Sequence, residues 1–173
     1  MHDVKDNVII RYEARSNDIK FRGIGFTKER LKKIKKALRA LHTLEIMATN
    51  IYRFQIGNDK DEVTRELIAA MLNEMTHIQE FQTKLLEYGF RPTLFRAMYW
   101  IVGFVIGFAS RIFGKKTILK TGIWVETRAV NHYQEFLRDV EWDEESRVVV
   151  ERAMLDEKHH IETWSRLLLN YAL

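Results

Sequence analysis

Apolar residues recur three and four positions apart along four long stretches of this chain, and each stretch is bounded by residues that start or stop helices. The first runs from Lys28 to Gln55, after Thr27 as an N-cap and before Gly57. The second covers 62–88, between Asp61 and Gly89, the third 118–140, and the fourth 144–169, after Asp143. Short turns, "IGNDKD" and "VEWDE", join the first to the second and the third to the fourth. Each pair is therefore expected to fold as an antiparallel helical hairpin. A much longer connection, residues 89–117, separates the hairpins.

The two hairpins repeat each other. "AMLNEMTHIQEF" at 70–81 and "AMLDEKHHIETW" at 153–164 agree at six of twelve positions. Apolar residues and a Glu-x-x-His pair fall at the same offsets from Leu67 in the second helix and from Val150 in the fourth, tracing one helical stripe in each. "LEIMATNIY", ending at Tyr52, and "VETRAVNHY", ending at Tyr133, share Glu, Ala, Asn and Tyr at identical spacing. The expected fold is all-α: a ferritin-like four-helix bundle of two pseudo-repeated hairpins with a long apolar crossover helix. The bundle domain is assigned to residues 27–173, and residues 1–26 form an N-terminal arm without an assigned role.

Glu74, His77, Glu157 and His160 lie inside apolar stripes and should point into the bundle. Glu45 and Glu126 occupy equivalent places in the other two helices. Burying four carboxylates is costly unless they are paired, protonated or bound to metal. Two divalent cations would neutralise them, with one imidazole for each. Residues i and i+3 of a helix lie about 60° apart and about 4.5 Å along the axis, so one Glu-x-x-His can grip a single metal. One Glu from each of two helices plus Glu-x-x-His from each of the other two is the ligand pattern of di-iron and di-manganese carboxylate bundles. The expected ligands are Glu45, Glu74, His77, Glu126, Glu157 and His160, holding two iron ions, with manganese as the other metal suited to such donors.

Tyr52 and Tyr133 each follow a ligand Glu by seven residues, nearly two turns. Either a hydrogen bond to the centre, electron passage, or a core aromatic with a tethered hydroxyl fits that spacing. His42, three residues before Glu45, can reach the same face. His132 and His159 point elsewhere on their helices.

The absence of cysteine excludes disulfides, thiolate catalysis and Cys-based metal sites. The net charge of +4 is concentrated in "KERLKKIKKALR", residues 28–39. Such runs serve nucleic acid or anionic lipid but are most often solvated helix faces. No nucleic-acid-binding signature accompanies this one, and no nucleic-acid partner is expected. The N-terminal residues lack the apolar core of a secretory signal.

The stretch between Met98 and Phe113 is almost wholly apolar and is flanked by Arg91, Arg96, Arg111, Lys115 and Lys116. It falls short of the roughly 20 residues a spanning helix needs. An apolar segment with basic borders is expected to lie in a membrane interface. An ordinary crossover helix packed on the bundle is the other reading.

Over about residues 38–169 the chain resembles the demethoxyubiquinone hydroxylase family of ferritin-like di-iron proteins. The resemblance rests on His42-x-x-Glu45 followed by "IYRFQ", Glu74-x-x-His77, "RPT" at 91–93, "YWIVGFVIG", Glu126 with "NHYQEFLRD" beyond it, and "DEKHH" containing Glu157 and His160. It implies a peripheral membrane monooxygenase, expected at the cytoplasmic face. Such an enzyme hydroxylates a prenylated quinol-like lipid with O2 and two electrons. It also implies that His132 and Tyr133 help deliver electrons, and that Glu74 and Glu126 bridge the metals. The chain departs from the family around Glu45, where Leu41, Thr43, Leu44 and Met47 replace small residues and should narrow the path for substrate or O2. A ferritin-like iron-oxidising or iron-storage protein, and a non-catalytic lipid-binding relative, are the competing readings. Homo-oligomerisation is left open.

Overall fold

The computed structural model describes residues 15–171. Five α-helices follow a single 3-10 turn: α1 (Lys28–Gln55), α2 (Glu62–Glu87), α3 (Arg96–Ile112), α4 (Lys115–Asp139) and α5 (Glu144–Asn170). α1, α2, α4 and α5 are the four helices of the bundle. Three of them start on a side-chain cap: Thr27, Asp61 and Asp143 accept from the backbone N–H of Arg30, Thr64 and Ser146. Each cap satisfies one of the backbone donors that a helix start leaves orphaned.

The expected helix starts at 28, 62 and 144 agree with the structure, and the ends differ by one residue at α2 and α5. The third bundle helix begins earlier than expected, at Lys115 instead of Ile118. Gly114, at φ +87°, breaks the backbone after α3, and a new helix starts at once. "KKT" falls in the expected connection, but in the structure it forms the first turn of α4.

The two hairpins, α1/α2 and α4/α5, enclose two apolar layers. One contains Ile34, Leu38, Leu41, Phe81, Leu85, Tyr133 and Val150. The other contains Tyr52, Leu67, Ile118, Leu119, Trp164 and Leu167. Each bundle helix contributes to both layers and passes a buried glutamate between them: Glu45, Glu74, Glu126 and Glu157. The polar centre is thus sealed above and below by hydrocarbon.

α3 packs mainly on α1. Its buried residues are all small: Gly103, Gly107 and Ser110. A Cβ on Gly103 would lie 2.5 Å from the Met47 carbonyl oxygen, and one on Gly107 would meet the Ile51 carbonyl oxygen still closer. The Ser110 hydroxyl accepts from Gln55 Nε2 at 2.9 Å. The large side chains Met98, Ile101, Val105, Phe108 and Ile112 all face outward. That is the reverse of the usual amphipathic helix, which buries its large apolar residues.

Of the expected arm, residues 1–14 lie outside the described residues. The remainder is pinned to one end of the bundle by Arg22. Its Nε donates to Glu87 and its Nη1 to Asp143, both at 2.6 Å, and its Nη2 donates to Glu145.

Candidate metal centre

His77 and His160 turn their Nδ1 atoms into the same buried space from opposite sides. His77 Nδ1 lies 3.2 Å from Glu157 Oε1, 3.5 Å from Glu74 Oε2 and 3.6 Å from Glu45 Oε2. His160 Nδ1 lies 3.1 Å from Glu157 Oε2, 3.2 Å from Glu74 Oε1 and 4.0 Å from Glu126 Oε1. Two tetrads result, Glu45–Glu74–His77–Glu157 and Glu74–Glu126–Glu157–His160, each with its donor atoms within 4.8 Å of one another. All six expected residues are buried and converge.

The division of labour differs from the expected one. Glu74 and Glu157 belong to both tetrads, and each splits its two oxygens between the two imidazoles. Glu126 belongs to one tetrad only, so the carboxylates placed to be shared by two cations would be Glu74 and Glu157 rather than the expected Glu74 and Glu126. The expected pair takes one carboxylate from each hairpin. But Glu74 and Glu126 do not correspond under the pseudo-twofold, whereas Glu74 and Glu157 do. A bridge shared evenly by two similar halves requires a corresponding pair.

Both oxygens of Glu74, Nδ1 of His77, Oε2 of Glu126 and Oε1 of Glu157 have no hydrogen-bond partner although they are buried. Buried polar atoms are ordinarily satisfied, and this many orphans at one point fit a site for a pair of cations. The donor set, four carboxylates and two imidazoles, suits iron or manganese.

The tyrosines cross between the hairpins. Tyr133, on α4, donates to Glu45 Oε1 on α1 at 2.6 Å. Tyr52, on α1, donates to Glu126 on α4 and accepts from Trp164 Nε1 at 3.1 Å. Each hydroxyl therefore holds the terminal carboxylate of the other hairpin. Burial, then the facing carboxylates, push both phenols well above their usual range, so they remain protonated donors.

Two further residues act on the histidines and were not anticipated. His77 Nε2 lies 3.1 Å from Asp156 Oδ2, and His160 Nε2 lies 3.3 Å from the Asn73 carboxamide nitrogen. Turning that amide over presents its oxygen instead. A proton fixed on Nε2 leaves Nδ1 free to bind metal, and partners of this kind are worth about 10–100-fold in metal affinity. The signal was in the repeat: Asn73-Glu74-x-x-His77 aligns with Asp156-Glu157-x-x-His160.

The remaining histidines separate. His159 is exposed. His42 is buried beside a cavity between α1, α2 and α3 whose walls include none of the six ligand residues. His132 is exposed, stacks on Phe136 and reaches the rim of a cavity of about 220 Å³ between α1 and α4. That cavity opens onto Glu45 and Glu126. Leu44 and Met47 line it, whereas Leu41 is core and Thr43 bonds back to its own helix.

Without metal the centre holds protons. Burial, then neighbouring carboxylates, raise Glu74 and Glu126 well above the usual range. Burial opposes charge on His77 and His160, but the facing glutamates overcome it and raise both. Burial also opposes ionisation of Glu157, yet the hydrogen bond from His160 and the facing charge of His77 pull it down to about 2. The raised carboxyls stabilise the fold below their unfolded value of about 4.3 and lose that contribution as pH rises through their folded values. The raised imidazoles do the same from about pH 6.5 upward. Above about pH 4.5, where Glu157 is ionised in both folded and unfolded states, metal-free protein should therefore melt at progressively lower temperature as pH is raised. Metal displaces these protons, so the gain in Tm on loading should widen with pH. Thermal melts with chelator and with Fe(II) under argon measure this; a gain that does not change with pH would contradict it.

The family model for ubiquinone biosynthesis protein COQ7 matches residues 32–168. A mitochondrial NADPH-dependent 3-demethoxyubiquinone 3-hydroxylase of Dictyostelium discoideum is 27% identical over 170 residues, covering 91% of this chain and 78% of the relative. A 3-demethoxyubiquinol 3-hydroxylase of Bordetella avium is 31% identical over 131 residues, 75% of this chain and 61% of the relative. The human mitochondrial enzyme is 23% identical over 128 residues, 72% and 59%. The matches thus span about three-fifths of the bacterial and human relatives. The family match extends through both hairpins and every residue of the two tetrads. The chain belongs to the COQ7 family of ubiquinone biosynthesis proteins, the demethoxyubiquinone hydroxylases.

Proposed function

We propose that this chain is a membrane-associated di-iron monooxygenase that hydroxylates the benzoquinol ring of a polyprenylated ubiquinone precursor. The observation that carries the reading is a buried four-carboxylate, two-imidazole centre opening into a ring-sized cavity next to a helix with an outward apolar face. The net reaction replaces a ring C–H with C–OH, consuming O2, two electrons and two protons and releasing water.

Glu45, Glu74, His77 and Glu157 would hold one iron, and Glu74, Glu126, Glu157 and His160 the other. Loaded with iron, the centre supplies the redox chemistry that activates O2. The protein fixes the donors and keeps water out. Tyr133 and Tyr52 hold Glu45 and Glu126 in place at the cavity floor. The apolar layers on either side keep the surroundings dry, so charge at the centre is felt strongly. Leu44 and Met47 line the cavity over Glu45 and Glu126 and would limit the size of the ring that enters it.

Electron entry through His132 and Tyr133 belongs to the same proposal. His132 stands at the cavity rim and Tyr133 touches Glu45, so the two adjacent residues span from surface to centre. The Dictyostelium relative is named as NADPH-dependent, which suggests a nicotinamide as the electron source to test first.

No helix among the described residues is long and apolar enough to cross a membrane. Contact through the outer face of α3 would be peripheral, with the isoprenoid tail in the bilayer. The test is incubation of iron-loaded protein with a prenylated demethoxyubiquinol, NADPH and 18O2, read by mass spectrometry. One 18O per product ring is expected. Oxidation of excess Fe(II) without ring labelling would favour the iron-oxidising alternative and overturn this reading.

A further inference from the structure

The basic run of α1 does not simply face solvent. Lys32, Lys35, Lys36 and Arg39 form one wall of a crease of about 640 Å³ whose other wall is the start of α3, with Phe95 and Met98. Those two apolar side chains are 69% and 59% exposed, so the cations border the outward apolar face directly. Among the described residues, none of the four cations has a carboxylate within ion-pairing distance. Arg39 is oriented by donating from Nε to the Arg91 carbonyl at 2.9 Å, and the Lys35 ammonium lies 5.5 Å over the Phe90 ring.

The sequence around the crease carries one sign of charge. No Asp or Glu occurs from Tyr88 to Val125, a segment with Arg91, Arg96, Arg111, Lys115, Lys116 and Lys120. On α1, Glu29 is the sole acid before Glu45. A surface seated on a neutral bilayer has no need of this. At the crease, exposed hydrocarbon flanked by unpaired cations is complementary to an anionic lipid surface, whereas at the other end of α3 Lys115 is paired with Asp59 and Asp61.

We infer that the crease between α1 and α3 binds the phosphate headgroups of anionic phospholipids while the outer face of α3 enters the acyl layer. The inference rests on the peripheral-membrane reading above and adds the class of lipid. It also sets an orientation, since the crease lies at the N-terminal end of α3 and so must rest at headgroup depth.

The test is co-sedimentation of the metal-loaded chain with vesicles of phosphatidylcholine alone or of phosphatidylcholine with phosphatidylglycerol. Wild type should prefer the anionic vesicles, and added salt should remove that preference. Each lysine near an anionic surface contributes about fivefold, so the combined Lys32→Gln, Lys35→Gln and Lys36→Gln variant should lose on the order of a hundredfold in anionic-vesicle affinity. Its iron content and melting temperature report whether the fold is intact, and the salt dependence of wild type tests the idea even if the variant fails to fold. Equal binding to both vesicle types sinks the headgroup site but leaves peripheral contact standing. Binding to neither sinks both. Tighter binding to an oligonucleotide than to anionic vesicles, lost in the triple variant, would reassign the crease to nucleic acid.

Discussion

Glu157→Gln will lose both irons, whereas Glu126→Gln will lose only one. The side chains are nearly isosteric, so each variant should keep the bundle while replacing a charged donor with a neutral amide. Glu157 gives Oε1 to the His77 side and Oε2 to the His160 side, so removing its charge weakens both tetrads. Glu126 serves only the His160 tetrad, and a glutamine there can still accept the Tyr52 hydroxyl through its carbonyl oxygen. After anaerobic loading and desalting, iron per chain should fall from about two to well below one for Glu157→Gln, and to about one for Glu126→Gln. Glu74→Gln should behave like Glu157→Gln, and Glu45→Gln like Glu126→Gln. Metal analysis by mass spectrometry reads this directly. Equal losses at Glu126 and Glu157 would mean that the ligand atoms are not shared as the structure places them. Turnover should vanish in all four variants, so stoichiometry rather than activity carries the test.

The contrast between those variants shows what the sequence could and could not convey. Six donors could be read from it because a charged residue repeated inside an apolar stripe has few physical explanations. The periodicity fixes which side of each helix faces the core, so convergence of Glu45, Glu74, Glu126 and Glu157 followed from helix geometry alone. Which carboxylates lie between the two imidazoles depends on how α2 and α5 approach, and spacing along one helix does not carry that. The tyrosines are a similar case. Seven-residue spacing placed Tyr52 on the face of Glu45 and Tyr133 on the face of Glu126, but each hydroxyl crosses to the opposite hairpin. Asp156 and Asn73 differ again: they are equivalent in the aligned repeat, but only the packing of α2 against α5 brings each to the histidine of the other helix.

The crossover shows how an apolar run can hide its packing face. Hydropathy sees one block between Met98 and Phe113, and its basic borders point to a membrane interface. α3 is packed on the bundle, yet its bulk is turned away from it. The deciding residues are the small ones, Gly103, Gly107 and Ser110, at helical offsets of four and three. Small residues let two helix backbones approach closely, which fixes the rotation of α3 and turns most of its large residues outward, with Ile106 left against the core.

That arrangement makes the two faces of α3 separable by mutation. Gly107→Val puts branched carbon where the Ile51 carbonyl already sits, and the obstruction is backbone rather than a side chain that can swing aside. Overpacking of this kind costs about 1–3 kcal/mol. In a domain of this size that lowers Tm by on the order of 5 °C. Because α3 supplies no ligand, iron stoichiometry should survive the change. Turnover should fall nevertheless, since Met47, whose carbonyl seats Gly103, also lines the cavity over Glu45 and Glu126. Phe108→Ser, on the outward face, should do the reverse: Phe108 is half exposed, so Tm should barely move, while partition onto vesicles should drop. Melting curves, iron analysis and vesicle sedimentation on the two variants together give the answer. If Phe108→Ser destabilises the fold as much as Gly107→Val, the outward face is covered in the working protein by something other than lipid, and a second protein surface takes its place.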